Sequence, residues 1–258
     1  MQIKVLGCFG GSAPDMRPTC FLVNDGIAID AGALTSALSI GEQLKVGHLF
    51  LSHSHIDHLY TIPFLLDNVF SHIEAPVVIH GAAHTLKSLK EHLFNNDLWP
   101  DFTALSNDRS RILKLEELNP GETVETGGVK ITCAALDHTV TCYGYLLEDD
   151  SGAAFIFGDT ASVDGALPLL EKTKNLKLVI LEASFPKRME KLATLSKHLT
   201  TAGFALEAAK LPEGLRILAT HMKPDCLGEI QIELSDLDLD HVTLAEQGAS
   251  YDLELLGT

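Results

Sequence analysis

Short apolar runs, each closed by a polar residue or a glycine, recur along the chain: Ile3–Leu6, Phe21–Val23, Ile27–Ile29, His48–Leu51, Val77–Ile79, Val129–Cys133, Tyr145–Leu147, Ala154–Phe157, Leu178–Leu181, Arg216–Ala219 and His241–Leu244. Runs of this length with turn-forming borders predict β-strands. Between them, Pro63–Phe70, His84–Phe94, Ala166–Lys172 and Thr201–Leu211 carry helical patterning. Pro63 suits a first helical position, and Thr200 suits an N-cap whose hydroxyl accepts from the first turn. The interleaving predicts a mixed α/β fold. The turn clusters Asn119-Pro120-Gly121 and Thr126-Gly127-Gly128 look like hairpin punctuation, and no Pro/Gly/Ser-rich linker or like-charge block divides residues 1–258, which predicts one domain. Ile27-Ala28-Ile29-Asp30-Ala31-Gly32 and Phe155-Ile156-Phe157-Gly158-Asp159-Thr160 each run an apolar strand into an aspartate, a faint sign of duplication.

The chemistry concentrates where one of these strands ends. In Leu49-Phe50-Leu51-Ser52-His53-Ser54-His55-Ile56-Asp57-His58, an apolar strand runs into four potential metal ligands within six residues. Residues two apart in extended chain share a face, so His53 and His55 can grip one cation. Asp57 and His58 fall where the chain must turn towards the helix at Pro63 and can serve a second position. Three imidazoles and a carboxylate crowded together are costly unless a cation compensates them, so metal binding explains the cluster better than scattered surface or core histidines. Three further candidates also follow apolar runs: His138, Asp159 and His221. A carboxylate such as Asp159 can bridge two cations and leave room for a shared hydroxide. The donor set suits two divalent ions, with Zn²⁺, Mn²⁺ and Fe²⁺ all compatible.

Composition removes other classes. Of 258 residues 46% are hydrophobic, enough for a substantial core, and 19 Lys and Arg stand against 35 Asp and Glu, a formal charge of −16. A field of that sign repels a polyphosphate backbone, so a nucleic acid is not the expected partner. The start of the chain shows no basic leader with an apolar stretch, and no run reaches membrane-spanning length; the expectation is a cytoplasmic protein without a membrane partner. The five cysteines, Cys8, Cys20, Cys133, Cys142 and Cys226, lack a C-x-x-C pair and read as small buried hydrophobes.

His53-Ser54-His55-Ile56-Asp57-His58 resembles the H-x-H-x-D-H signature of the metallo-β-lactamase superfamily, and Asp30, His138, Asp159 and His221 follow in the family's order. The resemblance implies a four-layer αβ/βα sandwich, two mixed sheets flanked by helices, with the site at one edge and Asp30 supporting the ligands from behind. Leu181-Glu182-Ala183-Ser184 and Ser196-Lys197-His198-Leu199-Thr200 are similar to the Glu…His pair of the phosphodiesterase branch, tRNase Z included. That similarity implies that Glu182 orients His198 and His198 protonates the leaving alcohol. Pro63–Asn68, His92–Phe102 and Thr220–Pro224 look like class II cyclic-nucleotide phosphodiesterases, although Leu59-Tyr60-Thr61-Ile62 departs from the glycine or serine common after the signature.

The implied reaction is attack of a metal-bridging hydroxide on a 3′,5′-cyclic nucleotide (cyclic AMP or cyclic GMP), with Asp57, Glu182 and His198 as the catalytic set. Lys223, Asn68 and Trp99 are the expected substrate contacts, with an exposed lysine and a loop-anchoring tryptophan as the alternatives for two of them. A homodimer is implied by the resemblance alone. Competing expectations are a tRNase Z-like RNA 3′-processing endonuclease, disfavoured by charge, thioester or lactam hydrolysis, in which a leaving-alcohol acid has no purpose, and a non-catalytic cyclic-nucleotide-binding domain, disfavoured because all seven ligand positions are chemically competent.

Overall fold

The computed structural model describes residues 1–237 and 239–256. Among these residues the strands are β1 (Gln2–Gly7), β2 (Cys20–Val23), β3 (Ile27–Ile29), β4 (His48–Phe50), β5 (Val77–Gly81), β6 (Leu113–Glu117), β7 (Thr123–Thr126), β8 (Val129–Leu136), β9 (Cys142–Asp149), β10 (Gly152–Ile156), β11 (Leu176–Glu182), β12 (Arg216–Thr220), β13 (Val242–Leu244) and β14 (Ser250–Asp252). They form two seven-stranded sheets, in the orders β14-β1-β2-β3-β4-β5-β6 and β13-β12-β11-β10-β9-β8-β7. In each sheet three antiparallel pairings are followed by three parallel ones, from β14 to β6 in the first and from β7 to β13 in the second. The faint duplication read from Asp30 and Asp159 therefore corresponds to a repeated topology, with β3 and β10 at equivalent places.

The unbroken apolar runs follow from burial on both faces, since successive side chains point to opposite sides of a sheet. Ile3, Val5, Phe21, Val23, Ile27, Ile29 and Phe50 point inward against Tyr145, Leu147, Ile156, Leu178, Ile180 and Leu218 of the other sheet. Their neighbours Leu22, Ala28 and Leu49 face an outer helical layer, as do Phe155, Val179 and Leu181 on the far side. The first layer holds α1 (Leu34–Ala37), α2 (Ile40–Gln43), α3 (Ile62–Val69) and α4 (Ala83–Ser88); the second holds α5 (Leu167–Leu170), α6 (Glu190–Ser196), α7 (Thr201–Ala208) and α8 (Leu227–Ser235). The result is two mixed sheets flanked by helices, as the resemblance implied.

Helix lengths differ from the sequence pattern. The expected His84–Phe94 helix stops at Ser88, and a wider turn, Leu89–Leu93, closes on the bond from Phe94 N to Leu89 O, which carries Leu89 and Phe94 into the core. The Thr201–Leu211 stretch ends at Ala208, with Thr200 capping Gly203 N as expected. Thr126-Gly127-Gly128 links β7 to β8 with both glycines at positive φ, 56° and 76°, a geometry suited to tight hairpins. All five cysteines are buried and free, and among the described residues no helix is long and apolar enough to cross a membrane.

Candidate metal centre

Four loops deliver the site to one edge of the sandwich: the turn after β4, the loop after β8, the end of β10 and the turn after β12. Beyond β4, Ser52 and His53 are fully buried, and a single 3₁₀ turn over Ile56–His58 redirects the chain so that Asp57 and His58 point differently from His53 and His55. Single ligand atoms of His53, His55, His138 and Asp159 lie within 4.8 Å of one another, and so do those of Asp57, His58 and His221. Asp159 stands between the groups: its Oδ2 is 3.5 Å from His53 Nε2 and 3.9 Å from His138 Nε2, while its Oδ1 is 3.5 Å from His58 Nε2 and 3.3 Å from His221 Nε2. All seven residues expected as ligands converge.

The donor set fits a metal. His53 Nε2 is buried with no hydrogen-bond partner, an arrangement that is costly for a polar atom unless a cation takes its lone pair. Nε2 of His58 faces Nε2 of His221 at 3.3 Å, and among the described residues no Lys or Arg is buried to neutralise the two carboxylates. Burial lowers the pKa of His53, His55 and His138, which keeps them neutral and able to coordinate. Burial would raise Asp159, but His221, His58 and His53 around it hold it well below the usual carboxylate range; Asp57 is lowered likewise by His221 and His58.

Behind the ligands is a set of hydrogen bonds to imidazole Nδ1 atoms. His58 Nδ1 is 2.7 Å from Asp30 Oδ2, His53 Nδ1 is 2.9 Å from Ser52 Oγ, His221 Nδ1 is 3.0 Å from Ser184 Oγ and His138 Nδ1 is 3.1 Å from the Lys197 carbonyl. A partner at Nδ1 leaves Nε2 as the ligand atom. Asp30, Lys197 and His221 all adopt left-handed φ, 57°, 54° and 59°, a strain retained where side chains must be aimed.

Glu182, at the end of β11, accepts from Thr160 N at 2.7 Å and Leu199 N at 3.1 Å, and both its oxygens lie 3.0 Å from His198 Nδ1. Burial would lower His198, but Glu182 and then Asp159 outweigh it and raise its pKa. His198 Nδ1 is 4.0 Å from Asp159 Oδ2, so the His198 ring borders the metal cluster.

The three expected substrate residues sit differently. Lys223 Nζ donates to the Gly10 carbonyl at 2.7 Å and lies 5.8 Å from the centre of the Phe185 ring, whose edge meets His198. Asn68 donates to Gln43 Oε1 at 2.9 Å and ties α3 to α2. Trp99 packs edge-on to Phe64 and against the first helical layer, and Phe102 is buried beside Phe70 and Phe94. Among the described residues neither Asn68 nor Trp99 has a hydrogen bond or ring contact with the metal cluster. Sequence reasoning passed over Ser52, Ser184 and Gly10. Ser52 directly precedes the signature and Ser184 is two residues from Glu182, so adjacency was the available signal. Gly10 had none, since an alanine Cβ there would meet His221 Nδ1 at 2.7 Å only because the fold brings them together.

Ribonuclease BN of Shigella boydii is 28% identical over 141 residues, 54% of this chain and 43% of the ribonuclease, so the chain spans less than half the length of that relative. The metallo-beta-lactamase fold protein YhfI of Bacillus subtilis superposes with a TM-score of 0.77 at 22% identity, covering 97% of this chain and 99% of that one. Unliganded yeast PDE1 gives 0.77 at 21%, covering 96% and 98%. These likenesses show the fold. The family profile described as "Beta-lactamase superfamily domain" matches residues 27–222, well over half of the chain and every ligand position, and the protein therefore belongs to the beta-lactamase superfamily, built on the metallo-β-lactamase fold.

Proposed function

We propose that this protein is a metal-dependent phosphodiesterase that opens 3′,5′-cyclic nucleotides to 5′-monophosphates. The observation that carries the reading is His198, held through Nδ1 by Glu182 at 3.0 Å and raised in pKa beside the metal ligands. An alkoxide is a poor leaving group, and a positioned imidazolium can protonate it as the P–O bond breaks. Two divalent ions, with Zn²⁺ the first candidate and Mn²⁺ and Fe²⁺ the others, would be held by His53, His55, His138 and Asp159 and by Asp57, His58 and His221, with Asp159 between them. Such ions supply Lewis acidity, activating water and stabilising charge on the phosphoryl oxygens.

The chain's own residues do the rest. Glu182 holds the His198 ring through Nδ1 and stabilises its charge, which leaves Nε2 free to act; transfer of the Nε2 proton to O3′ releases the ring-opened product. The seven ligand residues are buried or half-buried, which limits bulk water around the reacting phosphorus. A small cyclic diester is preferred over RNA because a chain of charge −16 repels a long polyanion. The likeness to yeast PDE1 is one of fold. An RNA 3′-processing activity is the second reading, supported by the partial ribonuclease BN similarity.

Incubation of purified protein with cyclic AMP, cyclic GMP, a 2′,3′-cyclic nucleotide and pre-tRNA, each with and without chelator, tests the proposal. The expected result is chelator-sensitive release of a 5′-monophosphate from a 3′,5′-cyclic substrate, abolished by His58→Ala. Cleavage of pre-tRNA alone would replace it with the second reading.

A further inference from the structure

The two halves of the molecule build the same hydrogen-bonded device twice. In the first, Ser52 Oγ lies 2.7 Å from Asp30 Oδ2 and 2.9 Å from His53 Nδ1, while the same aspartate oxygen takes His58 Nδ1 directly at 2.7 Å. In the second, Ser184 Oγ donates to Glu182 Oε2 and lies 3.0 Å from His221 Nδ1, while the same glutamate takes His198 Nδ1 directly at 3.0 Å. Each device therefore has one buried carboxylate, one imidazole bonded to it and a second imidazole reached through a serine. Both serines follow equivalent parallel strands, β4 and β11, and both are fully buried, with 1% and 0% exposure.

A serine has one hydroxyl proton. Asp30 accepts from Ser52 N at 2.8 Å as well as from the hydroxyl, and Glu182 accepts from Thr160 N and Leu199 N as well as from the hydroxyl, so each carboxylate is surrounded by donors. The serine proton goes to the carboxylate, and the serine lone pair must then accept from the imidazole. That order of donors allows only one neutral tautomer of His53 and of His221: the proton sits on Nδ1, and Nε2 keeps its lone pair. In each ring Nε2 is the atom turned to Asp159.

We infer that Ser52 and Ser184 are paired positioning residues, which relay the charge of Asp30 and Glu182 to His53 and His221 and fix both rings as Nε2 metal ligands. Both serines are buried behind the histidines they serve. Glu182 thereby serves two tasks, orienting the acid His198 directly and a ligand of the metal cluster through Ser184. The inference rests on the metal-centre part of the proposed function and is independent of the substrate.

The relays serve different groups: Ser52 reaches His53, in the group with His55 and His138, and Ser184 reaches His221, in the group with Asp57 and His58. Loss of such a partner behind a ligand costs about 10–100-fold in metal affinity. Two measurements test this. Long-range ¹H–¹⁵N spectra of histidine rings in the metal-free wild-type protein should show His53 and His221 as Nδ1–H tautomers, a readout that needs no variant to fold; Nε2–H tautomers there overturn the relay. Crystals of Ser52→Ala and Ser184→Ala soaked in limiting zinc should lose anomalous signal selectively, the first at the His53 group and the second at the His221 group. Equal loss at both groups, or none, overturns the relay, whereas a wild-type protein that takes up no divalent metal overturns the metal centre itself.

Discussion

Gly10 offers the sharpest test of how the site is braced. Alanine there would put Cβ 2.5 Å from the His221 carbonyl oxygen and 2.7 Å from both Nδ1 and Cε1 of the His221 ring. Gly10 is not among the residues at positive φ, so the effect comes from contact and not from backbone conformation. Ordinary contact begins near 3.4 Å, so the ring must give by about 0.7 Å and the His221 carbonyl by about 0.9 Å. The loop is poorly placed to yield: Gly10 N donates to Met222 O at 3.0 Å, His221 N donates to Cys8 O at 2.7 Å, and Lys223 Nζ holds the Gly10 carbonyl. Overpacking of this kind costs about 1–3 kcal/mol. A displacement approaching 1 Å at a catalytic group can cost on the order of 10²-fold in rate. Gly10→Ala is therefore expected to lower turnover of a phosphodiester by tenfold to a hundredfold (order of magnitude) and to weaken metal retention. Turnover, elemental analysis after dialysis, and thermal melts with and without chelator check this together. A variant that keeps wild-type metal content and turnover within about twofold would refute the bracing argument.

His198→Ala should slow cleavage of a diester with an alkoxide leaving group by about 10²–10⁴-fold and affect a nitrophenyl ester, which needs no proton, far less; metal content should stay unchanged. Equal loss on both substrates would remove the acid role. Chelation should lower the melting temperature, and readdition of Zn²⁺ or Mn²⁺ should restore it, because cations that bind only the folded ligand cluster stabilise by mass action. An unshifted melt would count against the site. Acid stability should report on His80, whose burial, with His48 3.1 Å away, lowers its pKa to about 4. Its folded value lies below the unfolded one of about 6.5, so stability is complete above that pH and falls, by up to about 3 kcal/mol, as pH drops from 6.5 towards 4. Urea unfolding in chelator at several pH values measures the slope, and His80→Phe, which cannot take the proton, should remove the His80 share and leave that of His53, His55 and His138, whose pKa values burial also lowers.

What the sequence disclosed depended on whether a role is written locally. The run into His53-Ser54-His55-Ile56-Asp57-His58 is local, and so is the habit of ending a buried strand on a polar residue, which exposed His138, Asp159 and His221. Strands β6 and β7 went unseen because Leu113-Lys114-Leu115 and Thr123-Val124-Glu125 alternate with charge at sheet edges and never form an apolar run. The contact between Gly10 and His221 is written nowhere in the order of residues. It exists because β1 and β12, in different sheets, both end at the site, and no pattern of spacing encodes that meeting.

On the proposed function, the repeated topology also accounts for one edge holding both a metal cluster and an acid. β3 and β10 occupy the same place in their sheets, and each leads to an aspartate, yet the two have opposite duties. Asp30, at positive φ, turns back to bind Ser52 and His58, while Asp159 faces the cluster between four imidazoles. With Asp159 committed to the metals, the second half needs another carboxylate behind its histidines, and Glu182, one strand over, fills that position with the reach to hold His221 through Ser184 and His198 directly. In the proposed function the first half would give both of its braced imidazoles to metal, and the second would give one to metal and keep one for the proton. If the proposed function holds, a symmetric scaffold with asymmetric use of its carboxylates is sufficient to place a Lewis-acid centre and a Brønsted acid side by side.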